Sequence, residues 1–103
     1  MREFLVEITI TVPQGAGQDE VDRLRAAEAV RARELAAAGN LTRLWRPIGE
    51  QRGIGVWRAA DEDELREKVL GTLPLRPWMT LAVTALESHP NDPGKDDATS
   101  APA

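Results

Sequence analysis

The side chains able to do chemistry here are carboxylates and guanidinium groups, because the chain has no cysteine and a single histidine, His89. Among the carboxylates, Glu28 is singled out by its spacing. At about 100° per residue, positions 21, 24, 28, 31, 35 and 38 share one side of a helix. Their occupants are Val21, Leu24, Glu28, Arg31, Leu35 and Ala38. Whatever surface buries Val21, Leu24 and Leu35 must therefore also meet the Glu28 carboxylate. An isolated buried charge is costly, so this group must be ion-paired, hydrogen-bonded or raised in pKa. A raised pKa suits a general base working near neutrality. The structural alternative is an ion pair with Arg31 at i, i+3, or with Arg25, at the edge of the stripe.

A second constellation is Leu44-Trp45-Arg46. On a strand, neighbouring side chains point to opposite faces, so at most one of Trp45 and Arg46 lines a given cavity. Facing inward, Arg46 would hold a carboxylate through two parallel hydrogen bonds. Facing outward, it would be an edge-strand arginine with Trp45 in the core or a subunit interface. Trp57 and Trp78 are candidate substrate platforms or apolar anchors, and Gln51 is a candidate substrate contact in the turn between two strands. Gly49, Gly53 and Gly55 lack the G-x-G-x-x-G spacing of a dinucleotide loop and read as turn and close-packing positions. His89, before Pro90, reads as structural or solvated.

Composition bounds the remaining choices. The chain has 103 residues, suited to one domain, and 13 Lys and Arg against 17 Asp and Glu give a net charge of -4. That sign opposes binding nucleic acid through phosphate contacts. Without thiols or a second imidazole, no metal site is expected. The opening residues alternate and carry Glu3 and Glu7, unlike a secretory signal, and no apolar run is long enough for a membrane span. The expected compartment is the cytoplasm, with no membrane partner.

The elements that must position these residues follow from periodicity. Residues 3–12 alternate as a half-buried strand, with Phe4, Val6, Ile8, Ile10 and Val12 on one face. Pro13 to Gly17 break it, and Asp19 and Glu20 open a helix of about twenty residues that closes near Gly39. Residues 41–48 and 52–59 predict a hairpin. Asp61 with Glu64 three residues later caps a second, short helix ending at Gly71. Residues 73–77 form a stiff linker, and residues 78–86 a last strand with Met79, Leu81, Val83 and Ala85 inward. A domain at residues 1–90 with a disordered tail at residues 91–103 is expected. The order is β-α-β-β-α-β, a ferredoxin-like α+β fold: a four-stranded antiparallel sheet with two helices on one face. The uncovered sheet face calls for a partner, most simply a second copy in a dimeric α+β barrel.

The combination Leu44-Trp45-Arg46, Leu73-Pro74-Leu75 with Pro77 and Met79, and His89-Pro90, in this order and spacing, resembles the muconolactone isomerases of bacterial aromatic catabolism and its β-ketoadipate pathway. Pro13, Ala27-Glu28, Glu34-Leu35, Gly39, Gly49 and Asp63-Glu64-Leu65 extend the resemblance over residues 3–90. It implies a homo-oligomer built from sheet-to-sheet dimers, up to a ring-like decamer, with no metal or organic cofactor. Members move a proton along an unsaturated lactone, so the resemblance implies that Glu28 carries the proton and that Arg46 holds the substrate carboxylate or the enolate. It departs in the hairpin. Where the family reads like G-H-Y-x-N-x-S, this chain has Gly49-Glu50-Gln51-Arg52-Gly53-Ile54-Gly55, and Arg76 and Trp78 replace a usual phenylalanine and tyrosine. Lost polar groups disfavour the original substrate, and Gly53 and Gly55 are expected to enlarge the pocket for a bulkier one. The expected function is a cofactor-free lactone isomerase with Glu28 catalytic and Arg46, Trp45, Gln51, Trp57 and Trp78 binding a small-molecule substrate. The alternatives are a cyclase or dehalogenase of a biosynthetic pathway on the same scaffold, or a non-catalytic small-molecule-binding oligomer.

Overall fold

A computed structural model describes residues 1–96. Strand β1 (Arg2–Ile10) leads through a loop to helix α1 (Gln18–Ala37), then to β2 (Leu41–Trp45) and β3 (Gly53–Ala59). Helix α2 (Glu62–Glu64) follows, and then β4 (Met79–Leu86). The strands pair antiparallel in the order β2-β3-β1-β4. This is the ferredoxin-like sheet expected from the element order. The first strand stops at Ile10 rather than Val12, and Val12 is exposed ahead of Pro13. Likewise β2 ends at Trp45, two residues before Pro47, which has no N–H to give to a ladder. The expected tail begins as a turn and a 3₁₀ segment at Pro93–Asp96, and residues 97–103 lie outside the described part.

Alternation along the strands sorts the sheet into two faces. Phe4, Val6 and Ile8 of β1, Trp57 and Ala59 of β3 and Met79 of β4 are buried on the face that carries the helices. Leu35 of α1 and Leu65, Val69, Leu70, Leu73 and Leu75 complete this core. Ala85 of β4 is exposed instead of inward-packed, at the outer edge of the sheet beside buried Phe4. The opposite face carries Leu5, Ile54 and Val56, half-buried within the sheet, with Glu7 between them and Ala82 and Leu86 exposed beside them. Among the described residues, no element covers it.

Helix α1 ends as its sequence predicts. Gly39 adopts φ 89, Asn40 N–H donates to Leu35 O and Gly39 N–H to Ala36 O, which satisfies carbonyls the helix leaves open. Asn40 then ties the helix to the sheet, since its Nδ2 donates to Arg58 O at 2.8 Å and its own carbonyl accepts from Arg58 N–H. The second helical segment begins as expected, with Asp61 Oδ1 accepting from Glu64 N–H. It does not continue as α-helix. After Glu64 the hydrogen bonding widens to a π turn at Leu65–Val69 and tightens to 3₁₀ at Leu70–Thr72. At Gly71 a β-carbon would stand 2.9 Å from Arg66 O, so the bare backbone lets this transition close.

Candidate active site

Helix α1 is buried at Val21 and Leu35 and packs on the core at Leu24, and the stretch between Leu24 and Leu35 borders open space. There Arg25, Glu28, Ala29 and Ala32 face a cavity of about 610 Å³. Ile8, Ile10, Leu41, Leu44, Trp57, Leu73, Leu75 and Met79 supply its apolar walls. Two short alanine side chains at midhelix, flanked by larger anchors, leave this space unfilled.

Glu28 is half-buried at this wall. Its Oε1 accepts a hydrogen bond from Leu75 N–H at 3.0 Å. Burial pushes its pKa above the ordinary glutamate value of 4.5, and the Leu75 hydrogen bond pulls weakly in the opposite direction. The ion pair with Arg31 does not form. Arg31 turns to Glu34 at 2.9 Å and to Thr72 Oγ1 at 3.0 Å, a partner from the segment after α2 that sequence spacing does not reveal. Among the described residues, the ion pairs engage Arg31, Arg52 and Arg66, and none involves Glu28, Arg25 or Arg46. One carboxylate, proton-avid and fixed by a single backbone donor, thus faces an apolar cavity with two unpaired cations on its walls.

The raised pKa has a consequence for folding. A carboxylate whose folded pKa exceeds its unfolded one binds protons more tightly in the native state, so its contribution is favourable below the unfolded pKa and is lost as pH rises through the folded one. Chemical denaturation of the protein and of Glu28→Gln at pH 4 to 8 is expected to show the variant gaining stability relative to the parent as pH rises. A constant difference across that range would contradict it.

A β-bulge decides which residues of β2 reach the cavity. Leu41 opposes Trp57, but Arg43, not Thr42, opposes Val56, and Thr42 fills the irregularity by donating its hydroxyl to Val56 O. From there on the alternation is inverted. Leu44 comes onto the helix-covered face opposite Gly55, Trp45 falls on the other face opposite Ile54, and Arg46 reaches the cavity. The Trp45 ring lies under the Arg43 guanidinium at 4.7 Å, and its backbone carbonyl borders the cavity near Gly53.

The other candidates divide. Gln51, exposed in the hairpin turn, and the buried Trp57 line the cavity. Trp78 does not: it sits in the 3₁₀ turn Arg76–Trp78 before β4, packs half-buried against the core and accepts from Thr11 N–H. Arg52, unnoticed in the sequence as a site residue, joins the wall and is held by Glu50 at 2.7 Å and Glu7 at 2.9 Å, which fixes the turn against β1. Gly53 borders the cavity, whereas Gly55 does not enlarge it. The space beside Gly55 is filled by the Trp57 indole and Leu44. His89 accepts from Asn91 N–H at the end of the sheet, a local turn contact.

Fold and site together define a ferredoxin-like α+β domain with a cavity between helix and sheet lined by one carboxylate and three arginines. The model of the family described as muconolactone delta-isomerase matches residues 2–92. Muconolactone Delta-isomerase of Acinetobacter baylyi is 28% identical over 95 residues, covering 92% of this chain and 98% of its own. The counterpart from Cupriavidus pinatubonensis is 31% identical over 88 residues, covering 85% of this chain and 95% of its own. A crystal structure of muconolactone isomerase superposes with a TM-score of 0.81 at 28% identity, covering 91% of this chain and 97% of that one. The chain belongs to the muconolactone delta-isomerase family, whose members are intramolecular isomerases.

Proposed function

We propose that the chain isomerises an unsaturated γ-lactone of the muconolactone type without a cofactor, with Glu28 moving the proton. The observation that carries this reading is the Glu28 carboxylate itself: half-buried, raised in pKa, tethered through one oxygen to Leu75 N–H, and set in the wall of a cavity of small-molecule size. Glu28 takes the proton from the saturated ring carbon beside the ring oxygen. The C–H electron pair forms a new ring double bond, the original double bond shifts, and charge collects on the lactone carbonyl oxygen as a dienolate. Return of the proton from Glu28 to the carbon next to the carbonyl completes the shift and regenerates the carboxylate. Arg46 takes the substrate carboxylate, being an unpaired cation lining the same cavity. Gly53 leaves room beside Gln51 for a lactone with a further substituent.

The test is incubation with muconolactone and ring-substituted muconolactones in deuterated water, followed by proton NMR. Loss of the original vinylic signals, with at most one deuterium entering beside the carbonyl, is expected. Absence of both isomerisation and exchange with every lactone would leave a binding-only protein.

The outer sheet face supports assembly into homodimers, because Leu5, Ile54 and Val56 lie uncovered next to Trp45, which is 44% exposed, and Leu86, which is 39% exposed. Light scattering is expected to give at least twice the 11.3 kDa chain mass, and Val56→Lys to lower it. A monomer at micromolar concentration would refute this assembly. The protein is expected to act in the cytoplasm; among the described residues no helix is long and apolar enough to cross a membrane.

A further inference from the structure

We infer that the indole N–H of Trp57 is a ligand-binding donor, which gives its hydrogen bond to the carbonyl oxygen of the lactone in the cavity. This deepens the isomerase reading and rests on it.

Trp57 is 2% exposed, at the centre of the sheet between Phe4 of β1 and Leu41 of β2. Its Nε1 is shielded from water and has no hydrogen-bond partner. An indole nitrogen is a donor with no acceptor function, and leaving a donor buried and unpaired is costly, so buried tryptophans ordinarily find an acceptor. The surroundings keep this one free. Gly55 lies two residues away on the same face, and a β-carbon there would stand 2.7 Å from Nε1. Any side chain at position 55 would therefore displace the indole or block its N–H.

One neighbour on this side is a movable side chain. Arg43 O and Leu44 Cδ1 each lie 3.1 Å from the same point; the carbonyl belongs to the β2 backbone and does not pair with the indole, while Leu44 is 53% exposed, so few contacts hold its rotamer. Leu44 and Trp57 both line the cavity that holds Glu28. A ligand oxygen that displaces the Leu44 methyl group reaches a donor already desolvated and fixed in orientation. The lactone carbonyl is the matching acceptor, because Arg46 meets the carboxylate and Glu28 the ring proton. The same donor then faces the oxygen on which dienolate charge collects.

The three tryptophans give three indole N–H signals in a ¹⁵N-labelled sample. Trp45→Phe and Trp78→Phe assign two of them, so the third is identified even where Trp57→Phe does not fold. The probe is the saturated analogue, 2-(5-oxotetrahydrofuran-2-yl)acetate, which has no double bond to move. Expected is a saturable downfield shift of the Trp57 signal and, in folded Trp57→Phe, affinity about tenfold weaker or worse. Saturable shifts elsewhere around the cavity with the Trp57 signal unmoved would overturn the inference and leave the cavity's role intact. A spectrum unchanged at millimolar probe would overturn both.

Discussion

Glu28→Gln is expected to lower turnover by about 10²–10⁴-fold while leaving the fold and oligomer intact. Glutamine keeps the length of the side chain and retains an oxygen for Leu75 N–H, so the contact that positions residue 28 survives. What disappears is the oxygen able to take and return a proton. Because the same carboxylate is read as acting in both steps, no residual base on this wall replaces it: Arg25, Arg46 and Arg52 are cations, and Gln51 is neutral. The parent's rate is expected to rise with pH through an apparent pKa above 4.5, since burial favours the protonated acid that must first be lost. In the glutamine variant that acid limb should vanish together with the rate. Turnover within threefold of the parent, or an unchanged acid limb, would remove Glu28 from the mechanism and shift attention to solvent-mediated exchange.

The anomaly at position 28 was visible in the sequence because helix periodicity is a local property. About five helical turns of spacing need no tertiary knowledge, and a carboxylate in line with Val21, Leu24 and Leu35 stands out without coordinates. The element order was readable for the same reason, as was the Asp61 cap, where side chain and backbone lie three residues apart. The missed features depend on partners distant along the chain. Arg31 chooses between Glu28 and Glu34 partly through Thr72, 41 residues away. Thr42 is a residue that any strand accepts, and nothing in its neighbours announces the bulge that turns Arg46 inward and Trp45 outward. Gly55 reads as empty space until Trp57 is seen to occupy it. Trp78 looks like the first residue of a strand, yet Pro77 places it in a 3₁₀ turn packed on the core, away from the cavity.

The bulge therefore makes Arg46 the sharpest test of substrate orientation. Arg46→Met keeps the apolar stem and removes the guanidinium, and Arg46→Glu adds a charge of the wrong sign to the cavity that Glu28 lines. A charge-assisted hydrogen bond contributes about 1.5–3 kcal/mol, so Arg46→Met is expected to raise KM for muconolactone by about 10–100-fold. For Arg46→Glu, repulsion of the substrate carboxylate adds to that loss, and kcat/KM is expected to fall by about 10³-fold, an effect weakened but not abolished by salt. The split between KM and kcat carries the mechanistic information. If Arg46 steadies the dienolate rather than the carboxylate, Arg46→Met lowers kcat with KM nearly unchanged, because the contact then exists chiefly in the transition state. A neutral lactone lacking the carboxylate separates the cases further: it loses nothing to Arg46→Met when the arginine reads the carboxylate, and loses as much as muconolactone when it reads the enolate. Wild-type kinetics in Arg46→Glu with both substrates would place Arg46 outside the site despite its position on the cavity wall.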